Sequence, residues 1–138
     1  MIMFLSSFYG IVDSKNRVAI PSPFRSTINN SNENTFIFKS LKYECLEVHL
    51  SSKINSLIKS FDEKDFLSKK NDHFKTAILS DLEEITIDKE GRFILRDHLK
   101  KFSKLSKEII FIGKGNHFEI WEKKLGEKHK KNSRARFK

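Results

Sequence analysis

The chain has 138 residues, 38% hydrophobic and 33% charged, with a formal net charge of +9. That length supports one modest core, and the balance of apolar and charged residues excludes a disordered chain. The longest wholly apolar run, Ile109 to Ile112, falls far short of the roughly 20 residues that a membrane helix needs, so no membrane partner is expected. The opening MIMFL is too short for a signal-peptide core and has no basic region before it. With a lone cysteine, Cys45, that cannot form an internal disulfide, a cytoplasmic location is the expectation.

In chain order, an aliphatic stretch first leads into a turn, Asp13-Ser14-Lys15-Asn16-Arg17, and on into a second stretch, Val18-Ala19-Ile20. Ser22 is the expected N-cap of a short helix, with Pro23 at its first position. Strands are predicted at Phe36–Phe38 and Leu46–His49. Ile54, Leu57, Ile58 and Phe61 follow helical spacing, with Ser51 or Ser52 as cap. Leu67, Phe74 and Ile78 predict a second helix after an exposed break at Asp62-Glu63-Lys64-Asp65. These apolar stripes read as core packing.

The pattern then begins again. Asp88-Lys89-Glu90-Gly91-Arg92 is a second turn of the same kind, followed by a strand and a short helix from His98 to Phe102, with Asp97 as expected N-cap. Strands follow at Ile109–Ile112 and Phe118–Trp121. Gly113-Lys114-Gly115 between them reads as a hairpin turn, because a dinucleotide fingerprint needs a following helix and a third glycine. Alternation of apolar and polar residues in Leu46–His49 and Phe118–Trp121 predicts a half-buried sheet. From Glu122 to Lys138 there are eight basic residues and two acidic ones. That tail suits a polyanion, and equally a solvated end.

The two turns lie 75 residues apart, and Arg17 and Arg92, Ser22 and Asp97, and Phe24 and Leu99 share the offset. Asp13 and Asp88 stand where a turn uses a carboxylate to accept backbone N–H groups. Asn16 and Gly91 stand where the backbone needs positive φ, which Gly meets freely and Asn tolerates. A tight hairpin ending in a bulge is the expected geometry. Each arginine has two readings. It can fold back onto its own aspartate, or it can present a planar fork to phosphate and guanine edges.

Other chemistry finds no support in the spacing. The histidines His49, His73, His98, His117 and His129 are scattered, no pair has metal-ligand spacing, and Cys45 has no thiol partner. No nucleophile, base and orienting group line up, so neither an enzyme nor a cofactor is expected. Trp121 reads as core or interface.

Met3-Phe4-Leu5, the first turn and Val18-Ala19-Ile20-Pro21-Ser22-Pro23-Phe24-Arg25 resemble the opening of the MraZ family of bacterial transcriptional regulators. The second turn and Gly113-Lys114-Gly115-Asn116-His117-Phe118-Glu119-Ile120-Trp121 are similar to that family's second repeat. The resemblance implies an α+β protein: a mostly-β, pseudo-symmetric tandem of swapped-hairpin AbrB/SpoVT-like units with short helices. On that reading residues 3–52 are the first repeat, 53–80 a helical linker, 81–125 the second repeat and 126–138 a basic tail. It also implies a cytoplasmic, nucleoid-associated regulator that binds promoter direct repeats in double-stranded DNA as a ring-like homo-oligomer, generally repressing the division and cell-wall gene cluster. DNA contact falls on Arg17 and Arg92, with Lys15 and Lys89 on phosphates, and Asp13, Asn16, Asp88 and Gly91 shaping the turns. An antitoxin-like protein-binding module of the same fold, with only general polyanion affinity, stays open. The sequence departs from the family pattern in four places: Ser6 and Asn16 for glycines, Arg96-Asp97 for prolines, and Gly126 interrupting a reduced C-terminal helix.

Overall fold

The computed structural model describes residues 2–63 and 67–137. Lys64 and Asp65 of the expected break, and Lys138 of the tail, lie outside the described residues. The chain runs β1 (Ser7–Ile11), β2 (Arg17–Ala19), α1 (Ser22–Ser31), β3 (Thr35–Lys39), β4 (Leu46–Leu50) and α2 (Ser51–Asp62). It continues α3 (Lys69–Leu79), β5 (Glu83–Ile85), β6 (Arg92–Ile94), α4 (Asp97–Ser103), β7 (Glu108–Gly113), β8 (His117–Glu122) and α5 (Lys123–Ala135). The class is α+β. No helix among the described residues is long and apolar enough to cross a membrane.

The halves interleave. Six strands form one antiparallel sheet in the order β1-β7-β8-β4-β3-β5, and β2 and β6 form a separate two-stranded ribbon. Exchanging β1 for β5, β3 for β7 and β4 for β8 reproduces the same sheet order read backwards. The pseudo-twofold axis therefore passes between β4 and β8. Each turn closes on itself, since Asp13 N–H donates to Arg17 O at 3.0 Å and Asp88 N–H to Arg92 O at 2.9 Å. The expected hairpin ladder goes no further. Beyond a single Val12–Val18 bridge the exit strand β2 leaves its own half and pairs with β6, the exit strand of the other. Strand exchange takes the place of the bulge.

The main core fills the space between sheet and ribbon. Ile37, Leu46, Val48, Leu50, Ile109, Phe111, Phe118 and Ile120 point inward from the sheet, and Val18 and Phe93 point inward from the ribbon. Phe24 sits 4.8 Å from Phe118 and 5.4 Å from Phe4, ring to ring, so the core is aromatic as expected. Phe24 and Leu99, equivalent by the repeat, anchor α1 and α4 there.

The sheet is not half-buried. Glu47, His49 and Glu119 alternate outward as the pattern requires, but His49 and Glu119 are buried. Helices cover that face too: α2 and α3 over Phe38, and α5 over Ile110 and Trp121. Alternation reports which face a residue takes and not what covers the face.

The helix caps differ from expectation. Pro21 and Arg96 are the N-caps of α1 and α4, with extended ψ of 140° and 150° and no side-chain cap bond, so Ser22 and Asp97 are already helical. Asp97 instead contributes its charge in the first turn. Neither Ser51 nor Ser52 caps α2. Its cap comes from elsewhere, as Glu33 Oε1 accepts from Ser52 N–H at 2.6 Å and from Ser51 Oγ at 3.2 Å. α3 starts after Leu67, with Ser68 accepting from Asn71 N–H. The C-terminal helix is continuous from Lys123 to Ala135, and Gly126 does not break it. A Cβ on Gly126 would lie 2.3 Å from Ile110 Cγ2 and 2.8 Å from Trp121 Cβ, so glycine is what lets α5 approach the sheet.

Candidate nucleic-acid interface

The two turns are built alike, atom for atom. Asp13 Oδ1 accepts from the N–H of Lys15 at 2.9 Å and of Arg17 at 2.8 Å. Asp88 Oδ1 accepts from the N–H of Glu90 and of Arg92, both at 2.9 Å. These backbone donors, the arginine N–H first and then the arginine side chain, hold both carboxyls below their ordinary range. Asn16 has φ 59° and Gly91 φ 78°, so both fourth positions take the left-handed conformation the sequence called for. Each is also gripped by the other half. Asn16 O accepts from Leu95 N–H at 2.7 Å, and Gly91 O from Ile20 N–H at 2.9 Å. Asn16 Oδ1 further accepts from Lys100 Nζ at 3.0 Å. At Gly91 the equivalent space holds Arg25, which leaves no room for a Cβ.

Arg17 and Arg92 do fold back, each through Nε. Arg17 Nε donates to Asp13 Oδ2 at 2.8 Å, and Arg92 Nε to Asp88 Oδ2 at 3.2 Å. Among the described residues the terminal nitrogens of Arg17 have no partner, whereas one of Arg92 donates to Glu90 Oε2 at 3.0 Å. The two readings of the arginines are therefore compatible. The aspartate orients each guanidinium, and in the first turn it leaves the outer edge free, while in the second Glu90 holds part of that edge.

The ribbon brings the arginines together. Arg17 pairs with Ile94, Val18 with Phe93 and Ala19 with Arg92. Val18 and Phe93 face the core, so Arg17, Ala19, Arg92 and Ile94 share the solvent face. The two arginines are diagonal neighbours, a relation that sets such positions about 7–8 Å apart. Lys15 and Lys89, both exposed, sit on the turns at opposite ends of the ribbon. The two lysines are not equivalent, since the repeat places Lys15 with Glu90 and Ser14 with Lys89. The basic C-terminal helix is not part of this face. α5 packs on the far side of the six-stranded sheet, with Lys123 paired to Glu108 at 3.0 Å.

Sequence reading missed Arg25 and Lys100, which share the 75-residue offset and brace opposite turns. The offset itself was the available signal. It also missed that His49 and His117, scattered in sequence, become direct cross-strand partners. Nothing local foretells a register.

The fold is thus a duplicated, strand-exchanged α+β arrangement with two arginine turns on one ribbon. Residues 78–138 match a family model described as "MraZ protein, putative antitoxin-like". The chain is 36% identical over 135 residues to the transcriptional regulator MraZ of Pelagibacter ubique (strain HTCC1062), covering 97% of this chain and 87% of that one. It is 33% identical over 134 residues to the protein of the same name from Rickettsia akari (strain Hartford), covering 96% and 90%. With that from Rickettsia felis (strain ATCC VR-1525 / URRWXCal2) it shares 34% over 130 residues, 94% and 87% of the two chains. The chain belongs to the MraZ family.

Proposed function

We propose that this chain is a sequence-specific DNA-binding transcriptional regulator of the cytoplasm and nucleoid. In this reading it is a repressor of the division and cell-wall gene cluster. It binds direct repeats upstream of its own operon as a ring-shaped homo-oligomer. The observation that carries the reading is the ribbon: two pre-oriented arginines share the exposed face of a two-stranded antiparallel pair. The major groove of B-DNA admits such a ribbon, and arginine forks suit guanine edges and phosphates. Lys15 and Lys89 flank it at the positions where backbone phosphates would run.

A single ribbon makes few contacts, and few contacts bind weakly at physiological salt. Repeating the ribbon around a ring gains avidity on DNA whose repeats match its spacing. The sheet has two unpaired edges, β1 and β5, and Tyr9, Ile11 and Ile94 are exposed near them and on the ribbon. Such edges and apolar side chains favour self-association. Light scattering at micromolar concentration is expected to give a discrete oligomer, and a monodisperse monomer would count against the ring.

The test of DNA readout is fluorescence anisotropy with DNA from upstream of the operon, against shuffled DNA, across a salt series. Native DNA is expected to bind tightly at ~150 mM salt while shuffled DNA binds far more weakly. Equal and steeply salt-sensitive binding to both would leave only a general polyanion affinity. In that case the antitoxin-like reading, which the family description favours, takes over, and a stoichiometric protein partner should co-purify.

A further inference from the structure

The outer face of the sheet carries a polar seam that DNA binding does not use. At the pseudo-twofold axis β4 and β8 run side by side, with His49 opposite His117 and Glu47 opposite Glu119. Apolar packing under α2 and α3 borders the seam on one side, and packing under α5 on the other. Within it Glu47, His49 and His117 each place one ligand-type atom within 4.8 Å of the other two. Glu47 Oε1 lies 2.9 Å from His49 Nε2 and 3.6 Å from His117 Nε2. The imidazoles stack with centroids 4.2 Å apart and planes 8° apart, so both present the same edge to the carboxylate.

The hydrogen bonds around the cluster set its chemistry. Asn116 Oδ1 accepts from His117 Nδ1 at 2.8 Å, which leaves the lone pair of that ring on Nε2. A lone pair and a carboxylate oxygen then face each other at 3.6 Å with no donor between them. That opposition is unfavourable on its own and favourable around a cation. An imidazole whose far nitrogen is tied to an oxygen is also the usual way a protein orients a metal ligand. His49 is 5% exposed and stacks between Phe38 and His117 with Nε2 directed at Glu47, and among the described residues its Nδ1 has no partner.

We propose that Glu47, His49 Nε2 and His117 Nε2 form a binding site for a transition-metal dication of the zinc type, clipping β4 of the first half to β8 of the second. Two imidazoles and one carboxylate are a donor set that zinc accepts and that magnesium or calcium, which prefer oxygen, do not. Bonds of ~2.0–2.1 Å in a tetrahedral arrangement set ligand atoms ~3.3 Å apart. The observed 2.9 Å and 3.6 Å lie on either side of that value, so loading requires Glu47 and His49 to part slightly and the two stacked rings to tilt toward each other. An ion on His49 Nε2 would displace the N–H that Nε2 donates to Glu47 and move the ring proton to Nδ1, which has no acceptor among the described residues. Lys53 and Lys114 are the nearby cations that act on His117, and they oppose the ion from outside the ligand set. Because the ion would bind only the paired strands, loading would stabilise the folded chain in proportion to the logarithm of metal concentration.

The probe is Zn²⁺ added to chelator-treated full-length protein, followed by calorimetry and thermal unfolding, with Co²⁺ absorption as a report on coordination. Wild type is expected to bind one Zn²⁺ per chain, to unfold at a higher temperature when loaded, and to give a tetrahedral Co²⁺ spectrum. Glu47→Gln and His117→Asn should each weaken binding by at least about tenfold, the lower end of what disturbing a metal site costs. His98→Ala, which removes the contact between His98 and Glu83 elsewhere in the fold, should leave it unchanged. Absence of binding to wild type, or undiminished binding to both cluster variants, overturns the proposal. Should either cluster variant fail to fold, imidazole NMR of wild type decides. Zn²⁺-induced shifts at His49 and His117 support the site, and shifts confined to His73, His98 or His129 overturn it.

Discussion

Each turn rests on one aspartate doing three jobs: two backbone N–H groups and one guanidinium converge on its carboxylate. Because both carboxyls titrate below their ordinary value, their contribution to stability is fully present above the unfolded value near 4 and is lost as pH falls through the lower folded value. Asp13→Asn and Asp88→Asn should therefore be less stable than wild type at pH 7 and should converge with it in acid. Denaturant unfolding across pH 2–7 reads this, and a constant difference would remove the aspartates from the linkage. The arginines are not equal in their freedom. Glu90 holds an Nη of Arg92, whereas Lys15 occupies that position in the first turn and leaves Arg17 open. Arg17→Ala should cost more DNA affinity than Arg92→Ala, on the order of 1–3 kcal/mol if it reads a base. Glu90→Lys should tighten binding and steepen the salt dependence by about one counterion. Anisotropy titrations at three salt concentrations separate these outcomes, and a stronger loss at Arg92 would contradict the asymmetry. Another position is strained without any such role. Ser6 holds φ 72° while its carbonyl accepts from Gly113 N–H at 2.9 Å. Ser6→Gly should raise stability by up to about 1 kcal/mol, the range a non-glycine residue loses in the left-handed region.

At the scale of elements, α5 shows how far a sequence reading reaches. Gly126 within a lysine-rich stretch looked like a helix breaker, because glycine is costly inside helices. In the fold it is the contact point. The helix backbone lies against Ile110 and Trp121, and Tyr9 Oη reaches across to Glu127 Oε2 at 2.8 Å. Gly126→Ala should improve local helix propensity by up to about 1 kcal/mol yet destabilise the protein by about 1–3 kcal/mol through overpacking. A rise in melting temperature for this variant would mean that α5 can shift outward freely. The strands, the turns and both strand-plus-helix repeats were legible because period and turn chemistry are local. The positive φ at Asn16 and Gly91 was legible for the same reason. The caps were not, since Glu33 reaches α2 from a distant segment and Pro21 sets α1 by dihedral angle alone. Nor was the seam of Glu47, His49 and His117, which exists only once β4 and β8 are in register. Local pattern says which way each of these side chains points, and pairing alone says what it meets.

For the whole molecule, the strand order makes an unusual demand. Within each half the only ladder is a single hairpin, β3–β4 or β7–β8. Among the described residues every other ladder crosses between halves: β1 with β7, β4 with β8, β3 with β5 and β2 with β6. The main core likewise draws Phe24, Val48 and Leu50 from one half and Phe93, Leu99 and Phe118 from the other. An isolated hairpin is marginal in water, and three or more strands are needed for independent stability. The repeats are thus units of sequence and of symmetry, yet neither can be a unit of folding. A fragment spanning residues 1–62 should not fold as a monomer, and neither should one spanning residues 68–138. The pseudo-twofold axis offers each fragment one escape, which is to pair with a second copy of itself across the β4 or β8 edge. Mixing the two fragments should restore a single cooperative transition, because only the mixture supplies all four crossing ladders and the mixed core. Sedimentation and near-ultraviolet dichroism of each fragment, alone and mixed, measure this. A monomeric fragment with native-like dichroism would show that one hairpin and its helix suffice. The ribbon carrying Arg17 and Arg92 could then no longer be an obligate product of strand exchange. If exchange is obligatory, the arginine face exists only where two halves are paired, and DNA binding by a monomeric fragment should be lost together with its fold.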